Sequence, residues 1–164
     1  MVSKTGDWGK FEQLCTQLKG EVTKAVKQAQ MVIGLKTVAI VKKHMQAQDL
    51  GWVPLSEAYK RGKIQGGYSE KILIRTSTMF QAITSTTQTV NGKQIVFAGI
   101  LRARVDKNGE IIANIAAVHE YGSKSRGIPA RPLWRPSLKE TKEWVLATKP
   151  FNTTINKALT KYKK

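Results

Sequence analysis

The sequence predicts an α+β fold in which an antiparallel β-meander of three or four strands packs against helices from both ends of the chain. Apolar residues recur at spacings of three and four through the first 48 residues, which is typical of an amphipathic helix or helix pair. The pairs Asn91-Gly92 and Asn108-Gly109 separate runs with strand-like patterns and favour tight hairpin turns. A second helical pattern follows Pro136. At 164 residues, the whole chain, 1–164, is expected to form a single domain with its own core.

The N-terminal part, residues 1–48, is predicted to be helical. Asp7 is a suitable N-cap, and the apolar periodicity continues to about Gln48. The pattern fits one long helix or two helices that break near Gly34. Cys15 is the single cysteine, so no disulfide framework exists, and its place on the apolar face indicates a small core thiol.

The next segment, residues 49–71, is predicted to be a long basic loop, because glycines and a proline interrupt any periodic pattern. Within it, Ser56 is a suitable start for a short turn of helix. Loops of this length are usually functional, and in an assembly protein they often become ordered on a partner. We interpret five of its residues as candidate partner contacts: Trp52, Pro54, Lys60, Arg61 and Lys63.

Residues 72–122 are predicted to form a small helix, with Thr76 as its cap, followed by the β-meander. Strands are expected over 84–90, 93–105 and 110–115. Arg102 and Arg104 alternate along the middle strand, where they are either candidate DNA-facing residues or part of a solvated face. Residues 116–121 fit a helical turn or the end of the last strand, and the glycine that follows suits a C-cap or turn.

An extended ribbon is predicted over residues 123–136, followed by C-terminal helices over 137–164. Proline fixes its own φ angle and disfavours helical geometry in the preceding residue, so Ile128, Arg131 and Arg135 are expected to be extended. Pro136 suits the first position of a helix that ends at Pro150. A final short helix is expected to begin at Asn152.

The charge balance points to an anionic neighbour. The chain has 28 basic and 11 acidic residues, a net charge of +17, which suggests a polyanion or an acidic partner subunit. No sequence pattern of a signal peptide or a membrane span is present, so we expect a protein kept in a reducing cytoplasm or in a particle assembled there, without membrane contact.

Motifs for catalysis are missing from the sequence. His119-Glu120 resembles half of a zinc-protease motif, but Ser123 stands where the second histidine is required. Neither a phosphate-binding loop nor a nucleophile elbow is found. We therefore expect no catalytic, metal-binding or cofactor-binding residues. A non-sequence-specific nucleic-acid-binding accessory protein is the alternative function that the basic charge allows.

Three parts of the chain resemble a known family. The first consists of residues 117–122 (Ala-Val-His-Glu-Tyr-Gly), 128–133 (Ile-Pro-Ala-Arg-Pro-Leu) and 135–138 (Arg-Pro-Ser-Leu), which together look like the C-terminal signature of phage virion-morphogenesis proteins of the Mu-like type. Trp-Val-Pro-Leu-Ser at 52–56 resembles another family segment. Residues 72–79 resemble a third, although Ser77 stands where that family has glycine. The resemblance covers residues 50–140.

The resemblance implies a non-enzymatic subunit of the virion neck or tail, which completes the tail or joins it to the head. Such subunits form rings, commonly hexamers, and contact connector, tail-tube or tail-terminator proteins, with non-specific DNA contact in the channel. The virion would be assembled in the host cytoplasm. The ribbon then serves as a stiff interface element, or it covers the subunit's own core. Its candidate interface residues are Arg126, Pro129, Arg131, Pro132, Leu133, Trp134 and Arg135.

Overall fold

The computed structural model describes residues 6–162. The first five residues of the predicted N-terminal part and the terminal Lys163 and Lys164 lie outside the described residues. Helices and a hairpin form the mixed α and β architecture expected from the sequence. The elements are α1 (Trp8–Ala47), α2 (Glu57–Gln65), α3 (Thr78–Ala82), β1 (Ile83–Val90), β2 (Lys93–Ile100), α4 (Ile112–Tyr121), α5 (Trp134–Thr148) and α6 (Pro150–Leu159), with a 3-10 turn at Thr160–Tyr162.

Helix α1 is one continuous helix of 40 residues, which decides between the two sequence interpretations. The Asp7 carboxylate accepts a hydrogen bond from the Lys10 amide at 3.1 Å, as predicted for an N-cap. Gly34 does not break the helix. It is buried where α1 crosses the hairpin, and a β-carbon there would collide with the side chains of Ser85 and Val96. Glycine is therefore required for the close approach of helix and sheet.

The predicted hairpin at Asn91-Gly92 is confirmed. Strands β1 and β2 pair antiparallel in a register that places Ile83 opposite Ile100 and Val90 opposite Lys93. Asn91 and Gly92 both have positive φ angles, 50° and 71°, as a two-residue hairpin turn of this type requires. The hairpin packs against α1 and positions the apolar end of β2 in the core.

The predicted meander of three or four strands is wrong, because the sheet within residues 6–162 has two strands. The chain does turn at Asn108-Gly109, where the Asp106 carboxylate accepts two amide hydrogen bonds. Only an isolated bridge between Val105 and Ile111 follows, and α4 begins at the next residue. The buried residues of α4 are spaced four apart, as in a helix. The sequence did not show this spacing, because a short run of apolar residues fits a strand as well as a helix. The buried residues are Ile112, Ala116 and Glu120.

The predicted long loop over residues 49–71 is also wrong in part, because α2 occupies 57–65. Ser56 caps it, with its hydroxyl 3.3 Å from the Tyr59 amide, so the predicted helix start is confirmed. Gly62 lowers the helical signal in the sequence, yet its exposed position in the helix interior is tolerated at a cost of about 1 kcal/mol.

The C-terminal helices begin earlier than predicted. Helix α5 starts at Trp134, so Arg135 is helical rather than extended and Pro136 is the third helical residue. A proline is tolerated there because the first amide groups of a helix have no intrahelical acceptor. Helix α6 starts at Pro150 rather than Asn152. Both helices run back along α1, with Glu140 beside His44 and Trp144 beside Lys36.

The core lies between the middle of α1, the hairpin, α4 and the ribbon. Its centre contains Met45, Val41 and Ile83, each at most 2% exposed. The core residues are Val41, Met45, Trp52, Ile74, Ala82, Ile83, Ile100, Ile112, Ala116 and Leu133.

No helix within residues 6–162 has the length and apolar character needed to cross a bilayer.

Ser77 is the N-cap of α3, one residue after the predicted cap Thr76, and its backbone is left-handed with φ 60° and ψ 0°. Its side chain makes no capping hydrogen bond. Left-handed geometry is unfavourable for residues with a β-carbon and natural for glycine. The serine therefore carries strain that glycine at this position would relieve.

Ser77→Gly is therefore expected to raise the free energy of unfolding by about 1 kcal/mol. Urea unfolding followed by circular dichroism measures the change. Ser77→Ala is the control, because alanine keeps the β-carbon and should bring no gain. Equal stabilities of all three proteins would contradict the strain at this position.

Candidate assembly interface

The ribbon starts as a closed loop rather than a straight strap. The backbones of Ser123 and Ile128 exchange hydrogen bonds of 2.8 and 2.9 Å. Gly122, just before this loop, ends α4 with φ 76° and ψ 174°. A β-carbon at Gly122 would lie 2.8 Å from the Ala130 nitrogen and 3.0 Å from the Ile128 oxygen. The glycine thus lets the ribbon fold back against the end of α4.

Glu120 joins α4 to the start of α5. Its side chain is buried, and one carboxylate oxygen accepts the amides of Leu133 and Trp134 at 2.6 and 3.0 Å. The other oxygen accepts the amide of Arg135 at 3.3 Å. The first amides of a helix need acceptors, and a carboxylate is favoured at this positive end of the helix dipole. Glu120 therefore caps α5 from another helix.

Two segments of the family resemblance, far apart in sequence, are hydrogen-bonded to each other. The Trp52 indole donates to the Pro132 carbonyl at 2.8 Å across 80 residues. The Arg131 Nε donates to the Val53 carbonyl at 3.1 Å, with a longer 3.5 Å contact from Nη2 to the Pro54 carbonyl. The Arg131 amide also donates to the His119 carbonyl at 2.7 Å. The ribbon is thus tied both to residues 52–54 and to α4 of its own subunit.

A cationic cluster lies beside this contact. Lys63 is 5% exposed, and its Nζ donates to the carbonyls of Lys71 and Ile74 at 2.8 and 2.9 Å. Burial, then the charges of Arg75 and Arg131, lower the pKa of Lys63 from its usual value. Within residues 6–162, none of these three cations forms a salt bridge with a carboxylate.

His119 is another neighbour of Arg131, whose backbone amide donates to the His119 carbonyl. Burial, and secondarily the Arg131 charge, lower the pKa of its imidazole, which favours a neutral ring at neutral pH. Its Nδ1 is buried without a hydrogen-bond partner among the described residues. Metal binding gains no support here, since no group of three or more potential ligands occurs within residues 6–162.

The predicted interface residues differ in their exposure to solvent. Arg131, Leu133, Trp52 and Lys63 are buried within the subunit. Arg135 is exposed, with its guanidinium 5.3 Å from the centroid of the exposed Tyr121 ring. Lys60 is partly exposed and pairs with Glu70 at 3.4 Å. Of the others, Pro129 and Trp134 are half-buried, and the exposed residues are Pro54, Arg61, Arg126 and Pro132.

Arg102 and Arg104 do not lie on a strand, and the predicted alternation is wrong. Strand β2 ends at Ile100, and a turn follows in which the Arg104 amide donates to the Leu101 carbonyl at 3.0 Å. Both arginine side chains are exposed. Each is available to solvent, but the two do not form a stripe on one face of a sheet.

The sequence predicted the helix but not the exposure of apolar side chains in its N-terminal arm, defined as residues 8–20 of α1. Helix α6 packs against α1, yet Phe11 and Leu14 in the arm are 57% and 42% exposed. Cys15 is exposed as well, so its predicted core position is wrong. The apolar stripe that predicted the helix therefore extends beyond the part of the helix that the subunit covers.

Sequence reasoning also missed the capping role of Glu120. A usable signal existed: Leu133 precedes α5 and offers no side-chain acceptor for its first amides, so an acceptor from elsewhere was required.

Comparisons with known proteins give one informative relative. An uncharacterized protein from Methanocaldococcus jannaschii is 32% identical over 105 residues, which span 63% of this chain and 68% of that protein. The chain belongs to the same family as this archaeal protein. No established family model matches the chain, and no solved structure matches it. The archaeal relative has no described activity, and the resemblance to virion-morphogenesis proteins stays a prediction.

Proposed function

We propose that this protein is a structural component of the neck or tail of a tailed-phage virion, where it completes the tail or joins it to the head as a ring-forming subunit. The observation that carries the proposal is the contact between two resembling segments, Trp52–Ser56 and the ribbon, through the Trp52–Pro132 and Arg131–Val53 hydrogen bonds. The contact explains physically why the two segments would occur together in such proteins, because their residues form one hydrogen-bonded unit, called here the scaffold. The role is structural and requires no catalytic group.

The scaffold leaves other surfaces for assembly. A cyclic ring uses heterologous contacts, so each subunit needs a projecting element and a receiving surface. The N-terminal arm is the projecting element, because Phe11 and Leu14 expose apolar surface of the kind that is buried at subunit contacts. Arg126 in the ribbon and Arg135 in the first turn of α5 are exposed, and both are available to acidic groups of a connector, tail-tube or tail-terminator protein. The buried Arg131 and Leu133 support this surface from within.

Ring formation is tested with the double variant Phe11→Ser, Leu14→Ser. We expect the purified wild-type chain to form rings visible by negative-stain electron microscopy. The variant is expected to remain folded and to associate at least about a hundredfold more weakly, because two apolar anchors are lost. Sedimentation velocity over a concentration series measures the difference.

The matched control is Gln13→Ser, Gln17→Ser, which changes two exposed polar residues of the same arm and leaves Phe11 and Leu14 in place. It should assemble like the wild type. A wild-type chain that stays monomeric over the whole accessible concentration range argues against ring assembly. Equal assembly of the apolar-face variant and the wild type removes the arm from the interface.

A further inference from the structure

A cationic cleft lies along one side of α2. It is an open depression of about 530 Å³, lined by Ser56, Ala58, Tyr59, Gly62, Lys63 and Arg75. Basic and hydroxyl side chains thus share this surface, and no carboxylate is among the lining residues. An open depression of this composition is suited to an oxyanion.

The charge in the cleft is held in place by the fold. Lys63 cannot swing outward without losing two carbonyl hydrogen bonds, and the Arg131 guanidinium, which lowers the Lys63 pKa, is tied to the Val53 carbonyl. The Arg75 guanidinium lies 4.6 Å from the centroid of the Tyr68 ring. Two of these cations are therefore buried without a carboxylate to balance them, which favours an external anion in the cleft.

Several donors face the same opening. Arg75 has a planar set of N–H groups that matches the oxygens of a phosphate. Tyr59 is 50% exposed, and its hydroxyl and that of Ser56 are of the type that commonly contacts backbone phosphates. The overall charge of +17 adds a long-range attraction toward polyanions.

We propose that the cationic cleft binds a backbone phosphate of nucleic acid, with Arg75 as the direct ligand and Lys63 and Arg131 as a fixed positive field behind it. This inference does not rest on ring assembly, since the arm lies outside the cleft. The Phe11→Ser, Leu14→Ser variant should therefore bind nucleic acid like the wild-type subunit, and the two proposals fail separately.

The test compares two variants with the same charge change. Arg75→Gln removes the cleft ligand, and Lys107→Gln removes an exposed cation outside the lining residues. Binding of a labelled DNA duplex of about 20 base pairs is measured by fluorescence anisotropy at fixed salt. Arg75→Gln is expected to raise the dissociation constant about tenfold, and Lys107→Gln less than about twofold. Thermal unfolding confirms that both variants are folded, and Arg75→Lys should restore part of the affinity by restoring the charge.

Two further ligands identify the source of the anion. Inorganic phosphate alone should bind at least about a hundredfold more weakly than the duplex, because a chain offers several phosphates at once. Phosphate binding as tight as that of the duplex overturns the assignment to nucleic acid. Polyglutamate of equal charge that binds as tightly, with the same loss in Arg75→Gln, assigns the cleft to an acidic polypeptide instead. Equal effects of the two glutamine variants overturn the site itself.

Discussion

Glu120→Ala is expected to lower the free energy of unfolding by roughly 3 kcal/mol or more, since it leaves several amides at the start of α5 without an acceptor. The Leu133 amide lies in the buried part of the molecule, where water cannot easily replace the carboxylate. The variant also removes a negative charge from the positive end of the helix dipole. Urea unfolding monitored by circular dichroism gives the change in free energy.

Two other substitutions separate the capping role from a general loss of charge. Glu120→Gln keeps an acceptor oxygen without the charge and should cost about half as much. Glu143→Ala removes an exposed carboxylate of α5 and should change stability by less than about 0.5 kcal/mol. If Glu120→Ala and Glu143→Ala cost the same, Glu120 does not hold the start of α5 in solution.

The ends of some helices and the hairpin turn were predicted correctly from the sequence, because each is determined by a few residues that are adjacent in the chain. Asp7 begins α1 and Asn91-Gly92 closes the hairpin, because a cap and a two-residue turn are each decided within a few residues. Ser56 likewise begins α2, although its extent was underestimated. The continuity of α1 through Gly34 was left open, because its reason is a contact with the hairpin some 50 residues later in the chain.

The elements that could not be predicted depend on contacts between distant segments. The run Ile111-Ile112 fits a strand or a helix locally, and burial of Ile112 against the core decides for the helix. The acceptors for the α5 amides come from Glu120, 13 residues before Leu133. Such a cap has no local pattern, and only the missing acceptor at Leu133 hints at it.

In the ribbon too, the sequence did not reveal which arginines are buried and which are exposed. The ribbon's prolines predicted a non-helical segment, and Arg131 lies outside any helix or strand, but charge alone did not show that Arg131 is buried while Arg126 is exposed. The difference follows from the acceptors available: the Val53 carbonyl lies beside Arg131, whereas Arg126 is in the exposed loop after Gly122. A basic ribbon in sequence is thus both scaffold and surface, and each arginine must be placed separately.

Gly122→Ala is expected to destabilise the protein by roughly 3–5 kcal/mol, because two independent penalties coincide at this residue. Its φ and ψ of 76° and 174° lie in a region that is essentially restricted to glycine. The added methyl group would also lie 2.8 Å from the Ala130 nitrogen, a backbone atom that cannot rotate away as a side chain would. Relief of this contact requires the ribbon to move off α4, which would also pull Leu133 away from Glu120.

The same substitution at Gly20 gives a control with the opposite expected sign. Gly20 lies inside α1, and a β-carbon there would meet no atom within 4 Å. Gly20→Ala should therefore raise the unfolding free energy by about 0.5–1 kcal/mol through helix propensity and a less flexible unfolded chain. Chemical denaturation of both variants gives the two values. A Gly122→Ala protein as stable as the wild type would mean that the ribbon is not held against α4, and the scaffold proposed for the assembly interface would lose its basis.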